Sequence, residues 1–83
     1  MIYLIEYNRP EGRLVTFKAF DSSERTYAET ARLELELELN RKGTNHEVVI
    51  LEAAGESALR RTHRRYFEDL SEIAKSLATA VKS

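Results

Sequence analysis

Residues 33–39 alternate leucine with glutamate without interruption, and the interpretation of this segment decides the predicted fold. Strict alternation is typical of a half-buried strand. Leucine and glutamate are nonetheless strong helix formers, glutamate is depleted from strands, and no β-branched residue occurs between Ala31 and Asn40. The composition therefore favours one helix over residues 22–42. The alternative is a helix that ends near Arg32, followed by a strand over residues 33–39.

As a helix, this segment carries apolar residues on two opposite faces, because each residue turns the helix by about 100°. One face consists of Ala28, Ala31, Leu35 and Leu39. The opposite face presents Leu33 and Leu37. A helix with two apolar faces needs two surfaces to pack against, and a small chain supplies only one. The pattern therefore predicts self-association.

The ends of this helix are marked by capping signals. Asp21 is placed to cap the N-terminus, and Glu24 occupies the capping-box position. Arg41 and Lys42 fall in the last turn, and Gly43 follows directly, as is typical of a helix C-terminus.

The N-terminal segments 2–8 and 13–20 are rich in β-forming residues and flank Arg9-Pro10-Glu11-Gly12, which predicts a hairpin with a three-residue loop. The loop places Arg9 opposite Arg13. One face then pairs Tyr7 with Val15, Ile5 with Phe17 and Tyr3 with Ala19. The other face pairs Asn8 with Leu14, Glu6 with Thr16, Leu4 with Lys18 and Ile2 with Phe20.

Residues 46–52 predict a third strand, and the residues after Gly55 predict helix. One apolar sector of that helical region holds Leu59, His63, Tyr66, Phe67, Leu70, Ile73, Ala74, Leu77 and Val81. Because Asp69 and Glu72 form a second candidate capping box, residues 56–82 are either one helix or two that break near Glu68.

These elements predict a single α+β domain over residues 1–83 with the order ββαβα. The helices are expected on one face of a small three-stranded sheet, the face of Tyr3, Ile5, Tyr7, Val15 and Phe17. Strand 1 is apolar on both faces for most of its length, which predicts the spatial order 2-1-3. A crossover through the long helix places strand 3 parallel to strand 2.

Composition excludes several classes of protein. The net charge of −1 argues against a generally basic nucleic-acid-binding protein. The absence of cysteine excludes disulfides and thiolate metal sites, and fits a reducing compartment. The N-terminal apolar run has no basic residue before it and stops at Glu6, which is typical of a strand rather than a signal peptide. No stretch approaches the roughly 20 apolar residues of a membrane span. We expect a cytoplasmic protein of bacterial type without membrane partners.

Four arginines form the most conspicuous charged cluster. Arg60, Arg61, Arg64 and Arg65 share one broad helical face, which makes them candidate contacts for nucleic acid or another anion. The alternative is a face of intrahelical ion pairs, since acidic residues lie four positions away. Those pairs are Glu56–Arg60, Arg64–Glu68 and Arg65–Asp69.

Candidate chemistry is otherwise sparse. His63 lies in the apolar sector and is interpreted as a core histidine, the alternative being a ligand-binding or catalytic group beside Tyr3, Tyr7 and Tyr66. A metal site at His46 or His63 with Glu47 or Glu52 lacks any established ligand spacing. There is no nucleophile motif and no glycine-rich phosphate loop. We therefore expect no catalytic residues, cofactor or metal.

The leading functional hypothesis is a non-enzymatic homodimer that serves as an interaction or adaptor module. Its predicted interface consists of Leu33, Leu37, Ile2, Leu4, Leu14 and Phe20. The two alternatives are a nucleic-acid-binding or regulatory protein that uses the arginine cluster, and a small-ligand binder or enzyme that uses His63.

Overall fold

The structure, a computed structural model, describes residues 1–68. It contains β1 (Ile2–Asn8), β2 (Arg13–Phe20), a 3₁₀ turn (Ser22–Glu24), α1 (Arg25–Lys42), β3 (Glu47–Glu52), α2 (Glu56–Thr62) and a second 3₁₀ turn (Arg64–Tyr66). The predicted α+β fold is confirmed. The candidate capping box of Asp69 and Glu72, and the apolar positions from Leu70 to Val81, lie outside the described residues.

The leucine–glutamate segment is helical, as its composition predicts. Asp21 accepts a hydrogen bond from the amide of Ser23, and the carboxylate of Glu24 accepts one from the amide of Asp21. The Ser22–Glu24 turn leads directly into α1. Gly43 ends the helix in the left-handed conformation, at φ 68°, and its amide donates to the carbonyl of Asn40 over 3.2 Å.

The three strands form one sheet in the predicted order β2-β1-β3. β1 is antiparallel to both neighbours, so β2 and β3 run parallel to each other, as predicted. Every residue of β1 from Ile2 to Tyr7 is buried. The middle strand of the sheet is therefore buried along almost its whole length.

The hairpin differs from the predicted register at its loop end. Glu6 pairs with Thr16, and the pairs from there to Ile2–Phe20 match the prediction. Beyond Glu6 the register shifts by one residue, so Tyr7 lies opposite Leu14 and Asn8 opposite Arg13. The predicted pairs Tyr7–Val15, Asn8–Leu14 and Arg9–Arg13 are wrong.

The loop explains this shift. It contains four residues, Arg9 to Gly12, and it is closed by a 3.2 Å hydrogen bond from the amide of Gly12 to the carbonyl of Arg9. Gly12 adopts φ 62°, the left-handed region predicted for it. A bulge at Val15 absorbs the extra residue, and Val15 is 44% exposed as a result.

The helices lie on opposite faces of the sheet. One face, the tyrosine face, carries Tyr3, Ile5 and Tyr7, which pack with Leu59 and Tyr66 of the C-terminal elements. The other, the α1 face, carries Ile2, Leu4 and Glu6, which alternate with them along β1. Grooves beside α1 are lined jointly by Leu35 and Leu4, and by Leu39 and Val48.

The prediction that both helices cover one face is therefore corrected. β1 is apolar on both sides, and each side needs its own cover. The bulge also moves Leu14 from its predicted place to the tyrosine face, where it packs against the core cluster.

The helical region after Gly55 is not one continuous helix. α2 ends at Thr62, and His63 leaves the helical conformation with φ −126° and ψ 52°. The break therefore comes before the predicted position at Glu68. It allows the second 3₁₀ turn to place Tyr66 against Tyr7, with ring centroids 5.2 Å apart in an edge-to-face contact.

Candidate functional site

A buried carboxylate lies at the centre of the α1 face. Glu6 is only 5% exposed, and both of its oxygens are bonded. Oε1 accepts a 2.7 Å hydrogen bond from the hydroxyl of Thr16, and Oε2 lies 2.6 Å from Nδ1 of His46. The sheet register builds this cluster, because Thr16 is opposite Glu6 on β2 and His46 is a diagonal neighbour just before β3.

The histidine of this cluster borders a groove of about 230 Å³ between α1 and β3. The groove is lined by Glu36, Leu39, Asn40, Thr44, His46 and Val48. Nδ1 of His46 donates in this pair whenever the Glu6 carboxylate is ionised, because an ionised carboxylate only accepts hydrogen bonds. A carboxylate-oriented imidazole is also an arrangement found in catalytic and metal sites.

Among residues 1–68, the other polar side chains that line the groove beside His46 are Glu36, Asn40 and Thr44. Glu36 in the groove is bonded to Arg32 over 2.9 Å. Within residues 1–68, no three histidine, aspartate or glutamate side chains come together in a way that could hold a metal ion. The cluster therefore acts as a satisfied polar link between all three strands.

Sequence reasoning missed this cluster. Its members are up to 40 positions apart, and no spacing rule joins Glu6 to His46. The one available signal was a glutamate inside the otherwise apolar segment of β1. A buried acid requires a partner, and residues on the adjacent strands can supply it.

A second cluster joins β3 to the C-terminal turn on the tyrosine face. The carboxylate of Glu47 accepts a hydrogen bond from the hydroxyl of Tyr66 and a 2.7 Å bond from Arg65, and Arg9 lies 3.4 Å away. The guanidinium of Arg65 also stacks on the Tyr66 ring at 4.4 Å. Burial raises the pKa of Tyr66 above its usual 10.0, and the hydrogen bond to Glu47 adds to that rise.

The arginines predicted to contact nucleic acid are mostly engaged within the chain. Arg60 lies 3.7 Å from Glu56 and stacks over Phe67 at 4.5 Å. Arg64 pairs with Glu68, and Arg65 joins the Glu47 cluster. The predicted pairs Glu56–Arg60 and Arg64–Glu68 are confirmed, whereas Arg65–Asp69 extends beyond the described residues. Among residues 1–68, Arg61 makes no ion pair.

The aromatic residues considered for a ligand pocket are packed against other rings. Tyr3 stacks on Phe17 with centroids 5.5 Å apart, and Tyr7 contacts Tyr66. His63 is half-buried where α2 ends. Tyr3, Tyr7 and Tyr66 therefore form part of the core on the tyrosine face.

The residues predicted for a dimer interface fall into three groups. Leu33 and Leu37 are 57% and 60% exposed on the side of α1 that points away from the sheet. Ile2 and Leu4 are 0% and 1% exposed because α1 covers them, so they offer no surface to a partner. Leu14 and Phe20 are half-buried, Leu14 within the tyrosine-face core. The structure thus reduces the predicted interface to the outer side of α1.

No protein-family model, curated protein or solved structure matches this chain. In the part of the chain that the structure describes, neither helix combines the length and apolar character needed to cross a membrane. The function of the protein is therefore inferred from the surfaces and clusters described above.

Proposed function

We propose that this protein is a non-enzymatic, cytoplasmic interaction module that works as a homodimer through the outer face of α1. This outer face consists of Thr30, Leu33, Leu37 and Asn40, all exposed. The observation that carries the proposal is the exposure of Leu33 and Leu37, which lie one turn apart on a helix whose other apolar side is already packed on the sheet. Burying a leucine contributes about 1.5–3 kcal/mol, so two leucines from each copy make association favourable.

The spacing along the outer face supports a second copy of the same helix as the partner. Successive positions are three, four and three residues apart. This is the a/d spacing by which two helices pack their side chains together over about two turns. Glu36 and Arg41 border the outer face and form ion pairs on α1 itself, so its rim is polar.

Light scattering of the full chain at micromolar concentration tests this proposal. The wild-type protein is expected to give a multiple of its 9.6 kDa chain mass. The double substitution Leu33→Glu and Leu37→Glu is expected to dissociate the α1 contact and leave the far-ultraviolet circular dichroism unchanged, because both side chains already face solvent.

Tyr27→Glu is the matched control. Tyr27 is 70% exposed on the same helix but lies outside the outer face, so the same change from apolar to acidic should leave the mass as it is. A monomeric wild-type protein, or a double variant with the wild-type mass, would refute the proposal.

The two alternative hypotheses gain no comparable support. Arg60, Arg64 and Arg65 are held by acidic partners, and the tyrosines near His63 are packed in the core. If the protein is an interaction module, these arginines and tyrosines serve to stabilise the fold.

A further inference from the structure

We propose that the free edge of β3 is a second self-association surface, at which β3 pairs antiparallel with β3 of a second copy to join two three-stranded sheets into one. This inference goes beyond the α1 contact because it uses a different surface and a different kind of bond. It rests on the backbone pattern, the contrast between the two sheet edges, and the complementarity of the strand with itself.

The backbone pattern shows which groups of β3 face outward. Met1 and Ala53 exchange two 3.1 Å hydrogen bonds, which makes them a bonded pair of the β1–β3 ladder. Bonded pairs alternate along an antiparallel ladder, so Val49 and Leu51 turn their N–H and C=O groups toward β1. Val48 and Ile50 turn theirs outward. Within residues 1–68, no hydrogen bond uses these outward groups.

The two edges of the sheet differ in how they are protected. β2 has the bulge at Val15, and its sequence includes Arg13 and Lys18, both exposed. Bulges and lysines are features that prevent edge strands from pairing with other chains. β3 has no proline, lysine or bulge, and its four central residues are all apolar. Of the two edges of the sheet formed by residues 1–68, the β3 edge is therefore the one suited to receive another strand.

A second copy of β3 fits this edge. A two-fold axis perpendicular to the sheet at Val49 places Val48 opposite Ile50 of the second copy, and Ile50 opposite its Val48. Both pairs then use their outward N–H and C=O groups, with two hydrogen bonds each. The same register brings His46, which bonds to Glu6, opposite Glu52 of the second copy, which pairs with Arg25 of its own chain, and no two glutamates face each other.

The helices above the strands are also complementary in charge. α1 packs over β1 and β3, so the two copies of α1 would lie side by side and antiparallel on the same face of the joined sheet. The flank of α1 that faces β3 carries Glu36, with Arg32 one turn before it. In an antiparallel arrangement, Arg32 of each helix can bind Glu36 of the other.

This pairing uses the flank of α1 beside β3, whereas the α1 contact is centred on Leu33 and Leu37, which point away from the sheet. The two contacts are therefore compatible. Together they predict an assembly of four chains, in which two sheet-paired dimers associate through α1.

Ile50→Pro and Ile50→Ala form a matched pair that tests the proposal in the full-length protein. Both shorten the side chain, but only proline removes the outward N–H, and the bonds to β1 come from the neighbouring residues. By light scattering, the wild type and Ile50→Ala are expected at four chain masses and Ile50→Pro at two. The Leu33→Glu and Leu37→Glu variant is also expected at two.

The outcomes separate the two contacts. If Ile50→Pro has the mass of Ile50→Ala, the β3 proposal is overturned. If the wild type is a dimer that only Ile50→Pro dissociates, the β3 pairing stands and the α1 contact fails. If the wild type is a dimer that only the leucine variant dissociates, the α1 contact stands and the β3 pairing fails. A monomeric wild type overturns both.

Amide hydrogen exchange of the wild-type protein provides a second test that does not require Ile50→Pro to fold. The amides of Val48 and Ile50 should be protected at high protein concentration and should lose protection on dilution, whereas the amide of Val49 should remain protected throughout. Exchange at Val48 and Ile50 that is fast, or independent of concentration, would contradict the pairing.

Discussion

Tyr66 is a residue whose ionisation is linked to the fold. Its hydroxyl is buried and donates to Glu47, so loss of the phenolic proton would place two negative charges beside each other. The pKa of Tyr66 is raised in the folded state, so the native protein retains a proton that the unfolded chain releases. This contribution to stability is fully present below about pH 10, the usual tyrosine pKa, and is lost as the pH rises through the higher folded-state value.

We therefore expect the free energy of unfolding to fall as the pH is raised above about 10, and to fall less steeply in Tyr66→Phe. Urea denaturation across this pH range measures the effect. Ultraviolet titration of the wild type should also show a late-ionising tyrosine that the variant lacks. Equal slopes in the two proteins would show that Tyr66 does not carry the linkage.

The Glu6 cluster predicts an energetic coupling between β1 and the start of β3. His46→Leu leaves Oε2 of a buried carboxylate without its partner and should lower the free energy of unfolding by about 1–3 kcal/mol. The double variant Glu6→Leu and His46→Leu should cost less than the sum of the two single leucine substitutions, because neither partner of the Glu6–His46 bond is left unpaired by loss of the other. Urea denaturation of the four proteins of this double-mutant cycle measures the coupling. Strict additivity would argue against a direct Glu6–His46 bond.

At the scale of elements, Gly43 is required by its backbone conformation and not by a lack of space for a side chain. A β-carbon at this position would have no neighbour within 4 Å, but φ is 68°. Gly43→Ala should therefore destabilise the protein by about 1 kcal/mol through strain alone. Gly55→Ala is the control, since Gly55 is equally unobstructed but extended at φ −173°, so it carries no left-handed strain and should cost only the smaller N-cap preference for glycine over alanine, about 0.5 kcal/mol. Thermal denaturation distinguishes the two, and equal losses would contradict the explanation.

The elements themselves were predictable because their signals are local. Asp21, Glu24 and Gly43 mark the ends of the α1 segment, and the composition of residues 33–39 outweighs their alternation. The bulge at Val15 was not predictable, since it depends on whether the loop after Asn8 contains three or four residues. The pairing of Asn8 with Arg13 makes it four, and several loop lengths suit the same turn residues.

At the scale of the whole molecule, the missed features are contacts between distant segments. The doubly apolar β1 indicated that both sheet faces would be buried, but the sequence alone did not assign a helix to each. The position of α1 determines which residues of the predicted interface are accessible, because α1 covers Ile2 and Leu4 and leaves Leu33 exposed. The same layering leaves the two proposed association surfaces at the outside of α1 and the edge of β3.

The central position of β1 also constrains how the chain folds during synthesis. β1 is translated before both of its neighbours, and its pairing with β3 joins residues as far apart as Ile2 and Glu52. The hairpin and α1 contain only local contacts and can form early, whereas the remaining backbone groups of β1 must wait until Glu52 has left the ribosome. A nascent chain stalled before that point would expose the unpaired backbone groups of its central strand, a feature that promotes aggregation.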